Sequence, residues 1–95
     1  MGYIMNRAKL DAQRTAEIVN EYLNDISPKD LPDINYMINI SNELVSDVLI
    51  NEKLSAKRNA EHLRNLLDNY IDEFEDMEYI CGLLDDISTW ADRGY

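Results

Sequence analysis

The apolar residues of this chain recur at helical spacing, and no stretch alternates with the period of two that a half-buried strand requires. At about 100° per residue, Ile4, Ala8, Ala12, Thr15, Val19, Tyr22, Leu23 and Ile26 fall on one side of a first helix, with Arg14, Glu17, Glu21 and Asn24 opposite. Pro28 disfavours helix in the residue before it, and Pro32 fits only the first turn of a new helix, so the spacing predicts a stop near Ser27 and a connection over Ser27–Leu31. A second helix then carries Ile34, Met37, Ile38, Ser41, Leu44, Val45, Val48 and Leu49 on one face, and a third pattern runs Leu63, Leu66, Leu67, Tyr70, Ile71, Phe74, Met77.

How these patterns join is less determined. Neither glycine nor proline occurs between Asp33 and Cys81, and Glu52, Ala56 and Ala60 hold the apolar phase between the second and third patterns. One continuous helix from Pro32 to Asp76 would have 45 residues and span about 67 Å. The alternative is a hairpin turn at Asn51-Glu52-Lys53 with Ser55 as the next N-cap, which the usual helix length of about 11 to 12 residues favours. After Met77 the apolar face rotates by about 100°, so Ile80, Leu83, Leu84, Ile87 and Trp90 align with each other but not with the preceding stripe. A bend or new short helix is therefore expected between Asp76 and Tyr79, with fraying from Asp92 to Tyr95. The predicted fold is all-α: one domain over residues 1–95, a small antiparallel bundle of three to four helices, with one long central helix as the alternative.

Length and composition change little in this picture. A 95-residue chain with 45% hydrophobic residues should fold around a modest core, and such chains commonly gain stability by dimerising. Charge adds more. The net charge is −10, and residues 68–95 hold nine acids against Arg93, whereas the first 29 residues are neutral. Such a field repels nucleic acid and anionic membrane and attracts basic partners. No apolar run approaches the roughly 20 residues of a membrane span, and none resembles a signal peptide. A single cysteine excludes an internal disulfide framework, and the sequon Asn39-Ile40-Ser41 matters only in a secreted chain, so a cytoplasmic location is expected.

If the third helix runs to Asp76, then Asp68, Asp72, Glu75 and Asp76 form one ridge opposite its apolar stripe, with no lysine or arginine between Asn65 and Asp92 to relieve it. Nine acids over residues 68–92 amount to about one charge per 4 Å of helix, close to the one phosphate per 3.4 Å of a DNA strand. An acidic face that merely keeps the protein in solution is the simpler account of the same pattern.

No catalytic or metal constellation competes with this surface. His62 is the only histidine, too few for a zinc site or for the paired Glu-x-x-His units of a di-iron bundle, and it fits a surface or boundary position. The carboxylates from Asp72 onward resemble a calcium loop only loosely, because Met77 occupies the place of the obligatory glycine. A solvated ridge offers no cleft for acid–base work on a sugar. Cys81 lacks an activating neighbour in sequence and is expected to be a buried small hydrophobe. Tyr79 falls within the acidic face if the helix continues, where an aromatic ring could anchor arginine. Lys53, Lys57, Arg58 and Arg64 form one basic cluster, interrupted by Glu52 and Glu61 and suited to pairing with the acidic end of a second subunit. No cofactor is expected.

The run Asp68-Asn69-Tyr70-Ile71-Asp72-Glu73-Phe74-Glu75-Asp76, in a small cysteine-poor helical chain, resembles the DNA-mimic proteins of tailed phages, including the anti-restriction proteins Ocr and Arn. The resemblance covers size, charge and acid patterning over the last third of the chain. It implies a homodimer, acting in the host cytoplasm, that occupies the DNA-binding cleft of a restriction enzyme or nucleoid protein. Asp68, Asp72, Glu73, Glu75, Asp76, Glu78, Asp85 and Asp86 would then stand in for phosphates. A helical interaction or assembly module, binding through Met37, Ile40, Leu44 and Trp90, is the alternative; an enzyme is not expected.

Overall fold

A computed structural model describes residues 2–93, and their side chains from Lys9 onward. It contains four helices: α1 (Gly2–Asn24), α2 (Ile34–Leu49), α3 (Lys53–Asp68) and α4 (Met77–Asp92). Each packs on its neighbours in the chain, and α1 packs on α4 to close the ring. Side-chain pairs set the direction of each helix. Lys57 meets Asp92 at 2.8 Å and Arg64 meets Asp85 at 3.1 Å, so numbers rise on α3 as they fall on α4. Tyr22 meets Glu75 at one end while Asp11 and Thr15 face Thr89 and Trp90 at the other, so α1 also runs against α4. The short α2–α3 turn reverses α2, whose Ser41 and Asn42 accept from Asn20 Nδ2 at 2.7 and 2.8 Å. The result is an antiparallel up-down-up-down four-helix bundle. The all-α class is thus established, and the long central helix is absent.

The stripes read from the sequence form the core. Ala12, Ala16, Val19 and Leu23 of α1, Ile34, Met37, Ile40, Ser41, Leu44 and Val48 of α2, Ala56, Ala60, Leu63 and Leu67 of α3, and Met77, Ile80, Cys81, Leu84, Ile87 and Trp90 of α4 are all buried. Fully burying one leucine contributes about 1.5 to 3 kcal/mol, so this shared interior holds the helices together. Ser41 sits within it without penalty, because its hydroxyl donates to the Ile38 carbonyl at 2.8 Å and accepts from Asn20. Leu49, assigned to the buried face of α2, is instead 51% exposed at the helix end. Ile4 and Ala8 lie outside the residues whose side chains are described, as do Gly94 and Tyr95 of the expected frayed end.

The α2–α3 hairpin falls where the polar residues predicted it. Asn51 takes a left-handed conformation with φ of 64°, which its short amide side chain tolerates better than most. Ser55 is not the cap, since α3 already starts at Lys53. Its hydroxyl donates to Asp47 Oδ2 at 2.6 Å, and Asn59 donates to the same oxygen at 2.8 Å, so one carboxylate on α2 clamps the start of α3. The first helix stops three residues earlier than predicted, at Asn24, and α2 begins two residues after Pro32.

The larger correction concerns the third pattern. Helix α3 ends at Asp68, and residues 69–76 form a succession of turns rather than another two turns of helix. Bonds from Glu73 N to Tyr70 O (3.0 Å) and from Tyr70 N to Leu67 O (2.9 Å) replace the regular ladder, and Asp76, at φ 68°, reverses the chain into α4. The physical reason is the rotated apolar face. A straight helix could not aim both Leu63–Leu67 and Ile80–Ile87 at one core, whereas a turn lets α4 fold back against α3. Tyr70, Ile71 and Phe74 cover the join, half-buried against the core, with the Tyr70 and Phe74 rings edge to face at 6.3 Å.

Candidate acidic interface

The break in α3 rearranges the acids that the sequence placed on one ridge. Asp68 is the last residue of α3; Asp72, Glu73, Glu75 and Asp76 lie in the turns; Glu78 occupies the first turn of α4, where a carboxylate favours the helix dipole. All six are exposed and cap one end of the bundle. Asp85 and Asp86 are also exposed but sit about two helical turns below Glu78, and Asp85 is paired with Arg64 at 3.1 Å. The proposed set is thus split into a cap of six and an outlying pair. Tyr79, 59% exposed in the first turn of α4, borders the cap.

The bundle adds acids that sequence reasoning missed. In an up-down-up-down ring the α1–α2 and α3–α4 connections share an end, and Tyr22 joins them by donating its hydroxyl to the Glu75 carbonyl. Asp25, Asp30 and Asp33, all exposed, are thereby brought to the same end as the Asp68–Glu78 cap. Residues 25–33 and 68–78, which make up that end, hold nine acids (Asp25, Asp30, Asp33, Asp68, Asp72, Glu73, Glu75, Asp76, Glu78) against Lys29. By sequence the rest of the chain holds the other ten acids and eight bases. Most of the negative surplus therefore sits at one pole. The signal for Asp25, Asp30 and Asp33 was available only once the number and direction of the helices were known.

Local chemistry follows this polarity. Burial, and then the Asp76 and Glu75 carboxylates, push the Tyr22 hydroxyl above its ordinary pKa and keep it a donor. At the opposite pole charges are paired: the hydrogen bond between Lys57 and Asp92 raises the pKa of the ammonium and lowers that of the carboxyl. Two residues of the basic cluster, Lys57 and Arg64, thus meet acids of their own α4, while Lys53 lies over the Trp90 ring at 5.2 Å. Cys81 is 3% exposed, and burial raises its thiol pKa, which makes it a poor nucleophile. His62 is exposed and bonded to the Tyr36 hydroxyl at 3.0 Å.

Among the described residues, no three His, Cys, Asp or Glu side chains converge closely enough to hold a metal ion. Nor is any described helix long and apolar enough to cross a membrane. One shallow cleft, about 400 Å³, lies between α1 and α4 and is open to solvent, lined by Asp11, Thr15, Asp86, Thr89, Trp90 and Arg93 among others. In comparisons with protein-family models, curated proteins and solved structures, nothing matches the chain. Met37, Ile40, Leu44 and Trp90, the contact positions of the interaction-module reading, are all at most 7% exposed, so those side chains are spent on the core.

Proposed function

We propose that the protein is a non-catalytic inhibitor that presents its acidic pole, in place of DNA, to the basic DNA-binding surface of another protein. A restriction enzyme or nucleoid protein in the cytoplasm is the kind of target such a pole suits. One observation carries the reading: nine acids and one base converge on one end from segments far apart in sequence. A protein needing only solubility can intersperse both signs. Concentrating one sign destabilises the fold through self-repulsion, and a compensating role in steering and binding a cation-rich surface accounts for keeping it. Arginines and lysines that release counterions from phosphates would release them equally from this cap.

The proposal is tested by immobilising the protein, passing a bacterial lysate over it, and eluting with salt or with double-stranded DNA. DNA-binding proteins should be captured, displaced by DNA, and bound with an affinity that falls steeply as salt rises. Reversing Asp72, Glu75 and Asp76 to lysine should abolish capture while leaving helicity unchanged. Capture that ignores both DNA and the charge reversal would sink the reading.

A further inference from the structure

We propose that the outward face of α4, centred on Gly82, seats an arginine side chain of the basic partner. This rests on the reading above for the partner's charge and adds which side chain the partner presents. The starting observation is a glycine that the fold does not require. Gly82 is the only glycine between Gly2 and Gly94, and it stands inside α4 on helical backbone, so no turn explains it. A Cβ placed there would meet no neighbouring side chain or helix within 4 Å, so no close packing explains it either. After proline, glycine is the least favourable residue for a helix interior. What it does provide is bare backbone that another molecule can approach closely.

The residues around Gly82 select that molecule. On a helix the surface neighbours of a residue stand three and four positions away, which here are Glu78, Tyr79, Asp85 and Asp86, all exposed. Three carboxylates and one phenol ring thus frame the bare patch on a single face of a single helix. Asp85 already meets a guanidinium, that of Arg64, at 3.1 Å. No ion pair among the described residues engages Glu78 or Asp86, which flank Gly82 about 6 Å away along the axis on either side. Charge calls for a cation, and shape chooses among cations. A guanidinium is planar, so it can lie flat on exposed backbone, stack on the Tyr79 ring and direct its in-plane donors to carboxylates on both sides. A lysine ammonium, a compact point charge, gains nothing from the flat patch. Asp85 and Asp86, set apart from the cap, are thereby joined to it through Gly82 and Glu78.

Fluorescence anisotropy of labelled octa-arginine and octa-lysine peptides, titrated with the full chain at low salt, tests this. The wild type should bind octa-arginine at least about fivefold more tightly than octa-lysine. Gly82→Gln, which covers the backbone with a neutral side chain suited to a helix, should bring the two peptides within about twofold of each other, and so should Tyr79→Ala. Tyr79→Phe should keep the preference, because the ring remains. Gly82→Ala should raise the melting temperature by about 4 to 8 °C, as a glycine without a structural purpose predicts. A melting temperature that falls, or an arginine preference that survives Gly82→Gln, overturns the proposal. Equal binding of both peptides by the wild type overturns it too while leaving the acidic pole as a substitute for DNA; binding of neither overturns both.

Discussion

Tyr22 holds two acidic connections together through one hydroxyl, and its position among carboxylates gives the contact a pH dependence. Its folded pKa lies above the ordinary 10.0, so the native state holds the proton more tightly than the unfolded chain. The stabilisation is then complete below pH 10 and is lost as pH rises through the raised value. Tyr22→Phe, which removes the bond to Glu75, should cost about 1 kcal/mol at pH 7. Urea unfolding should show that gap closing above pH 10; a gap of constant size would mean that the hydroxyl's titration is not linked to folding. At the same scale, Asp76 makes the reversal that the rotated apolar face announced. Its left-handed φ of 68° reverses the chain without glycine or proline, the residues by which a break is normally recognised.

Among the elements, the α2–α3 hairpin and the start of a new helix after Asp76 were legible, whereas the end of α3 at Asp68 was not. Asn51-Glu52-Lys53 is a polar interruption between two apolar stripes, and the helices stop and restart around it. Over residues 69–76, by contrast, Tyr70, Ile71 and Phe74 keep a helical period while lying in turns, because they cover the join between α3 and α4 and still need to be apolar. Asp47 is the side chain that secures the legible turn. It is half-buried and accepts from both Ser55 and Asn59, so Asp47→Ala leaves two donors on α3 without their acceptor. The expected loss is about 1.5 to 3 kcal/mol, visible as a lower urea midpoint at unchanged slope. A loss under about 0.5 kcal/mol would show that the hairpin is held by the core alone.

For the whole molecule the governing feature is a charge axis along a body of 47 × 20 × 19 Å. Nine acids at one pole repel one another across distances that salt can screen. Raising ionic strength from about 0.01 M to 1 M shortens the screening length from about 30 Å to about 3 Å. The melting temperature should therefore rise with sodium chloride, by about 5 °C for each kcal/mol of repulsion removed. A fall instead would mean that the Lys57–Asp92 and Arg64–Asp85 pairs outweigh the crowded pole. Those pairs are exposed enough that their expected contribution is small.

The helical class, the buried faces of α2 and α4, and the surplus of acid near the C-terminus follow from the sequence by itself, because periodicity and charge are properties of neighbouring residues. Tertiary structure decided where the acids stand. The turn after Asp68 exists so that two misaligned apolar stripes can share one core, and that requirement appears only when the helices pack. Once they alternate in direction, Asp25, Asp30 and Asp33 meet Asp72, Glu73 and Glu75 across some 40 residues of chain, and Leu49, Ile50 and Leu54 are left at the opposite end. A local acidic run thereby becomes one pole of the molecule.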